Sequence, residues 1–415
     1  MAPRSADSPT STASSSHQSS SSQQHSNKKE AHRRGGGCCG CACWFWIIVL
    51  LLGLGLIAGG VTWYLLPEET KEDLLTRGTQ APTASPSPTL ATTISWRYHQ
   101  CAEDSGGVNC CQGLDNGTCN LKVNQLLYGY VHNAVHTVED GFLLPWNQEY
   151  GLEKALAAGF RAFELDVGRC GDDEQVVFFH SRCALGTRDP TTVLKAIGDF
   201  VQANPTEIVI LLLQMPDQDV VTLAQFDHVL QGVPSVANHL YAHPAAGIPW
   251  PTLQELINAD ERIILFFMNQ PNCRTQVCPA SGVYHYWDDF AVETEWDFRS
   301  IEQIDDTDYS CAANHVATGI RRDFYRVNAF TSLPSKTVSK QVNTYAYAQS
   351  RMAACATIQG QNVNFYAVDY WNQGQVLQLV QDVNRQRAQQ YRQQKQEKEE
   401  QAAAAAAATN QGNRR

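Results

Sequence analysis

Six short apolar runs in this chain end in, or carry, a side chain able to do chemistry. Leu126–Val131 is followed by His132 and Asn133, Phe160–Val167 contains Glu164 and Asp166, and Val176–Phe179 is followed by His180. Ile208–Leu213 is followed by Gln214, Ile263–Met268 by Asn269, and Phe365–Val368 by Asp369. Runs this apolar read as buried strands. In a parallel sheet the C-terminal strand ends meet at one mouth, which would bring these polar residues together. Glu164 and Asp166 lie two apart, so both side chains leave the same face of a strand. Two carboxylates placed there repel unless a proton or a cation sits between them. With an amide oxygen from Asn133 the set is hard and anionic, suited to Ca²⁺ or Mg²⁺ and not to a thiophilic metal. A single histidine at a strand end is more often structural than catalytic, and Glu164 and Asp166 have a structural alternative in ion pairs with Arg161 or Arg169. What chance explains poorly is so many polar residues ending successive apolar strands. His136, His228, His239, His243, His285 and His315 fall in apparent loops or helices and read as exposed or structural.

The segments between the runs are amphipathic. Val193, Leu194, Ile197, Phe200 and Val201 share one helical face, and Leu152, Ala155 and Leu156 do so before Gly159, a helix C-cap by type. Fully apolar strands alternating with helices predict a parallel α/β sheet covered on its outside. Residues 95–385, with six clear strands and room for two irregular ones, predict a closed (β/α)8 barrel of the TIM type, a fold that typically takes about 250 residues. An open doubly wound sheet is the alternative. No Gly-x-Gly-x-x-Gly follows the first strand, which argues against its dinucleotide-binding form.

The N-terminal portion predicts a membrane anchor. Residues 44–66 hold 23 residues without a charged side chain, with Trp44, Trp46, Trp63 and Tyr64 at the two ends. That length crosses a hydrocarbon core of about 30 Å, and aromatic rings favour its two interfaces. Lys28, Lys29, Arg33 and Arg34 precede the span while Glu68, Glu69, Glu72 and Asp73 follow it, which keeps the N-terminus cytosolic and the body extracellular or lumenal. Residues 1–43 then form a disordered cytosolic tail, residues 67–94 a Ser/Thr/Pro stalk, and residues 386–415 a low-complexity helical or disordered tail. Gly55 and Gly59 make a Gly-x-x-x-Gly pattern through which two spans could pair as a homodimer. Cys38, Cys39, Cys41 and Cys43 at the cytosolic edge suit S-acylation. Ten further cysteines lie beyond the span and are expected to be oxidised there, Cys273 with Cys278 across a short loop, and the Asn116-Gly117-Thr118 sequon falls on the same side. The formal charge is -11; residues 1–43 carry +3 and residues 384–415 carry +4, leaving -18 on the 340 residues between. So acidic a body repels polyanions, which argues against nucleic-acid binding.

The run His132-Asn133-Ala134, then Glu153-Lys154-Ala155-Leu156, Gly159 through Val167, Phe179-His180-Ser181, Pro205 through Val209, Trp250-Pro251-Thr252-Leu253 and Val368-Asp369-Tyr370-Trp371 resembles the X-domain of phosphatidylinositol-specific phospholipase C. It is most similar to the cysteine-rich, secreted or membrane-tethered phosphodiesterases of that kind from microbial eukaryotes. The resemblance implies a barrel that cleaves phosphodiesters of a phospholipid or glycerophosphodiester head group. It implies His132, oriented by Asp369, as general base and His180 as general acid, with Ca²⁺ on Asn133, Glu164, Asp166 and, as a fourth ligand, Gln214. Three departures stand out. The calcium-dependent members carry an acidic residue where Gln214 stands, the family usually has Gly where Ser181 follows His180, and no C2 or PH domain accompanies the barrel. A glycerophosphodiester phosphodiesterase, whose first strand normally ends in His-Arg-Gly, and a catalytically degenerate binding ectodomain are the competing expectations.

Overall fold

The computed structural model describes residues 118–171, 175–215, 221–268, 282–314 and 316–412. The expected tail, span and stalk, together with Asn269, Cys273, Cys278 and His315, lie outside the described residues. Among the described residues no helix is long and apolar enough to cross a membrane.

Among the described residues there are eleven strands: β1 Tyr128–Val131, β2 Ala162–Cys170, β3 Gln175–Phe179, β4 Thr187–Arg188, β5 Val209–Gln214, β6 Ile263–Met268, β7 Tyr284–Tyr286, β8 Ala291–Thr294, β9 Ala313–Asn314, β10 Phe324–Ala329 and β11 Phe365–Val368. The helices are α1 Leu152–Ala158, α2 Pro190–Ala203, α3 Leu223–Gln231, α4 Pro234–Ala237, α5 Leu253–Ala259, α6 Trp287–Phe290, α7 Ile301–Asp305, α8 Thr307–Ser310, α9 Lys336–Val342, α10 Tyr345–Gln359 and α11 Val376–Gly412. Eight strands are parallel, in the order β7-β6-β5-β2-β1-β11-β10-β8. The α/β class and the parallel sheet therefore agree with the sequence.

Two expectations are corrected. The barrel is not closed, because among the described residues no ladder joins β7 to β8. Only the four-residue α6 separates these strands, in place of the dozen or more residues a parallel crossover needs. The run Val176–Phe179 is not a parallel barrel strand either. As part of β3 it pairs antiparallel with β2, since residues 171–174 leave room for a hairpin and nothing longer. His180 thus reaches the site from a hairpin rising beside the barrel.

Side chains alternate along each barrel strand, and the alternation divides the core in two. Phe163, Leu165, Val167, Leu211, Leu213, Tyr366 and Val368 join the outer layer beneath the helices. Tyr128, Tyr130, Ala162, Ile210, Leu212, Phe266, Phe324, Phe365 and Ala367 fill the barrel interior. Helix α2 shows how the outer layer is secured. Asp189 caps it by accepting from the Thr192 N–H at 2.8 Å, and Pro190 opens it at a position that needs no donor. Its face buries Val193, Leu194, Ile197 and Val201 completely, each worth about 1.5–3 kcal/mol. Gly159 ends α1 at φ 119°, the left-handed cap its type predicts. Helix α11 runs unbroken across residue 385, with Ala388 buried and Tyr391 resting on the barrel interior cluster.

Beneath the open seam sits a histidine pair that the sequence left as ordinary. The His285 Nδ1–H donates to the Leu265 carbonyl at 2.9 Å while its Nε2 accepts the His243 N–H at 2.9 Å, so both ring nitrogens are committed to the neutral form. Burial, followed by the nearby His243, pushes His285 down to about 4. A folded value below the unfolded one leaves full stability above pH 6.5 and removes it as pH falls toward 4, by about 3 kcal/mol. Urea midpoints between pH 7 and 4.5 should fall with that slope, and His285→Gln, which keeps one donor and one acceptor, should flatten it. An unchanged slope in the variant would place the acid sensitivity elsewhere.

Candidate active site

The same alternation that builds the interior puts polar side chains on its upper tier. Above Tyr128 and Tyr130 on β1 comes His132; above Ala162 on β2 come Glu164 and Asp166. Above Phe365 and Ala367 comes Asp369, and above Leu212 comes Gln214, whose Cα is the register partner of Asp166. His132, Glu164, Asp166, Gln214 and Asp369 thus share one mouth, with His180 beside Asp166, while Asn133 follows His132 in the turn after β1.

Each of the two histidines is held at Nδ1 by a carboxylate. The His132 Nδ1 meets Asp369 Oδ1 at 2.8 Å, and the His180 Nδ1 meets Asp166 Oδ2 at 2.6 Å. An Nδ1–H held in this way leaves Nε2 as the nitrogen that exchanges protons. The His132 ring is stacked on Phe330 at 3.7 Å and 7°, which fixes its plane, and its Nε2 lies 3.5 Å from Glu164 Oε1. Its side chain is 15% exposed and that of His180 29%, so both remain open to a substrate. Burial lowers the His132 value, but the charges of Asp369, Glu164 and Asp166 outweigh it and raise the net value. Burial likewise raises Asp369 and Asp166, opposed by the histidine each one holds.

Three residues in the left-handed backbone region follow three of these side chains directly: Asn133 at φ 46°, Ser181 at φ 62° and Tyr370 at φ 45°. Each sharp turn re-aims the chain just after His132, His180 or Asp369. At Ser181 the conformation favours glycine, because a Cβ there costs about 1 kcal/mol. Ser181 is exposed and loses little packing on truncation. Ser181→Gly should raise stability by about 0.5–1 kcal/mol, read as a higher urea midpoint; a lower midpoint would mean that the hydroxyl holds the turn.

Several site residues were not singled out from the sequence. Arg326 and Asn328 on β10 and Glu293 on β8 face inward beneath that tier, Arg326 level with Phe365 and Asn328 with Ala367, and the Cα atoms of Arg326 and Glu293 are register partners. Arg326 Nη1 donates to Glu164 Oε2 at 2.9 Å and to Tyr130 Oη at 2.9 Å, and its Nε donates to Glu293 Oε2 at 2.8 Å. Tyr130 Oη also donates to Glu164 Oε2 at 2.7 Å. Burial lowers the Arg326 value while Glu293, Tyr130 and Glu164 raise it further, so it stays a fixed cation. Arg161, the alternative partner for Glu164 or Asp166, instead pairs with Glu207 at 2.7 Å. His136, expected to be exposed or structural, is fully buried, and burial, then the neighbouring His180, pushes it down to about 4.

Oxygens suited to a divalent cation remain after these bonds are counted. Asp166 Oδ1 is buried without a hydrogen-bond partner, Glu164 Oε1 lies 3.5 Å from His132 Nε2, Gln214 stands on β5 beside Asp166, and Asn133 lies in the turn after β1. The donors fit Ca²⁺ or Mg²⁺ with two charged ligands. Among the described residues no three His, Cys, Asp or Glu side chains form a metal-holding group.

A family model for the PI-PLC X domain, described as PI-PLC X 1, matches residues 126–384. The chain belongs to the PI-PLC X family. A curated relative, PI-PLC X domain-containing protein 1 of Arthroderma benhamiae, is 23% identical over 282 residues, covering 64% of this chain and 87% of the relative. Among solved structures, phosphatidylinositol-specific phospholipase C from Listeria monocytogenes overlaps 66% of this chain and 97% of its own at 14% identity and a TM-score of 0.46. The F249X mutant of the Staphylococcus aureus enzyme overlaps 66% and 96% at 14% identity and a TM-score of 0.45. Membership in the PI-PLC X family rests on the sequence match and not on these overlaps.

Among the described residues two disulfides close loops of this PI-PLC X domain: Cys170–Cys183 across the hairpin that carries His180, and Cys311–Cys355 between α8 and α10. Cys119 is disulfide-bonded as well. The expected bridge between Cys273 and Cys278 falls outside the described residues.

Proposed function

We propose that this PI-PLC X-family chain is a phosphoric diester hydrolase that cleaves a phospholipid or glycerophosphodiester head group. The observation that carries the reading is the pair of histidines, each held at Nδ1 by its own buried carboxylate and both opening on one mouth. In this reading His132 Nε2 takes the proton of the attacking hydroxyl, which belongs either to the head group or to water. Asp369 holds the tautomer that leaves that nitrogen a lone pair and stabilises the imidazolium that forms. His180 Nε2 gives a proton to the departing alcohol, and Asp166 holds its ring. Asn133, Glu164, Asp166 and Gln214 are proposed to hold Ca²⁺, which when bound would neutralise charge growing on the phosphoryl oxygens. Residues 44–66 are proposed to tether the protein as a single-pass membrane protein with its body outside the cytosol, a reading supported by the oxidised cysteines.

The test is turnover by the purified full-length chain of phosphatidylinositol, a glycosylphosphatidylinositol and glycerophosphodiesters, with Ca²⁺ or with chelator. Cleavage of a phosphatidylinositol that requires both histidines supports the reading. Cleavage of glycerophosphodiesters alone would move the chain to that substrate class, and no turnover of any of them would leave a binding domain. Cation binding is read separately, as a thermal midpoint that rises with millimolar Ca²⁺ by mass action and fails to rise in Asp166→Asn. A parent midpoint indifferent to Ca²⁺ would remove the cation from the proposal.

A further inference from the structure

His136 stands between the two catalytic pairs without belonging to either. Its Nδ1 lies 2.8 Å from Asn147 Oδ1. The Asn147 Nδ2 in turn donates to Asp369 Oδ1 at 3.0 Å and lies 3.4 Å from His132 Nδ1. Asp369 Oδ1 can only accept, so the nitrogen of the Asn147 amide must be the end that faces it, and its oxygen must then face His136. His136 therefore donates from Nδ1. The direction of every hydrogen bond in the chain His136, Asn147, Asp369 follows from that one requirement, and Asp369 receives the His132 Nδ1–H on the same oxygen. On its other side the His136 ring lies 4.9 Å from the ring of His180.

The chain is held rigidly. His136 and Gln148 are fully buried and Asn147 is 1% exposed. Gln148 Nε2 donates to the carbonyls of His132 at 2.6 Å and Val368 at 3.2 Å, while its Oε1 accepts the Trp371 N–H at 3.0 Å. The Tyr370 N–H donates to the Asn147 carbonyl at 2.8 Å, so the strap formed by Asn147 and Gln148 ties the top of β1 to the top of β11. An amide in so tight a strap is free to flip and little else, and its orientation is held at both ends, by Asp369 at Nδ2 and by His136 at Oδ1.

We propose that His136 is a positioning residue for the reaction. Through Asn147 it aims Asp369 at His132, and its ring forms the wall against which His180 is set. A flipped Asn147 would present its oxygen to Asp369, repel that carboxylate and loosen the tautomer of His132. The inference deepens the phosphodiesterase reading and rests on it for its kinetic consequence alone; the orientation of Asp369 is a property of the resting protein.

The test uses the full-length chain and two variants. His136→Phe keeps a ring beside His180 and the edge contact with Phe142, seen at 5.1 Å and 87°, and removes only the donor. Asn147→Leu removes the next link. Each is expected to lower kcat by about 10–100-fold with KM nearly unchanged, and the double variant to lose no more than the worse single one, as residues acting through one network do. In proton NMR of the resting protein, the downfield resonance of the His132 Nδ1–H is expected to shift or broaden in both variants. A parent-like resonance in His136→Phe, or losses that multiply in the double variant, would overturn the inference. If His136→Phe does not fold, the resonance in Asn147→Leu decides. A parent that turns over no phosphodiester while the resonance still responds would overturn the function and leave the positioning role standing.

Discussion

Asp369→Asn is expected to lower kcat for phosphodiester cleavage by about 10³–10⁴-fold with little change in KM. The substitution is isosteric at a position only 1% exposed, so the fold has no reason to yield. What changes is the tautomer. The carboxylate accepts the His132 Nδ1–H at 2.8 Å, whereas an amide whose nitrogen turned toward the ring would leave the proton on Nε2, where the lone pair is needed. The charge that stabilises the imidazolium goes with it. A loss smaller than about tenfold, with the expected lone pair still on Nε2, would reduce Asp369 to a structural role.

The second large effect concerns stability. Glu164 and Glu293 are 2% and 5% exposed at their side chains, and Arg326 bonds to both. Arg326→Met leaves two buried carboxylates facing each other without a counter-charge, and about 3–5 kcal/mol should be lost. Combining it with Glu164→Gln and Glu293→Gln should recover most of that, because the penalty comes from unpaired charge and not from lost packing. Urea unfolding of the three proteins reads this directly. A single variant as stable as its parent would show that water, and not Arg326, neutralises the tier. The same single variant removes one of the two donors on Glu164 Oε2 and leaves the Tyr130 hydroxyl, so its thermal midpoint should respond more to Ca²⁺ than the parent does.

The site was legible where chemistry coincided with the end of an apolar run. His132, Glu164, Asp166, His180, Gln214 and Asp369 all announced themselves in that way. Strand β10 did not. Its inward positions are Phe324, Arg326 and Asn328, so the residues that matter to the site are the ones that break the apolar run. The alternation of Tyr325, Val327 and Ala329 with those three was the available signal, a half-polar strand and not a fully apolar one. For β3 the signal was length, since four residues cannot carry a parallel crossover. The role of His136 was not legible at all. It depends on an amide 11 residues away and a carboxylate a further 222 residues along, a distance in sequence that only the fold closes.

The underside of the barrel governs how the protein can present its mouth. Val123 N–H donates to the Pro251 carbonyl at 3.0 Å and Lys122 bridges to Thr252, so the chain enters β1 from below. Arg387 bonds to the carbonyls of Gln125 and Val363, which places the exit of α11 on the same end. Both directions of the chain therefore leave opposite to His132 and His180. Whatever meets His132 and His180 therefore approaches from the end of the barrel opposite to these two crossings.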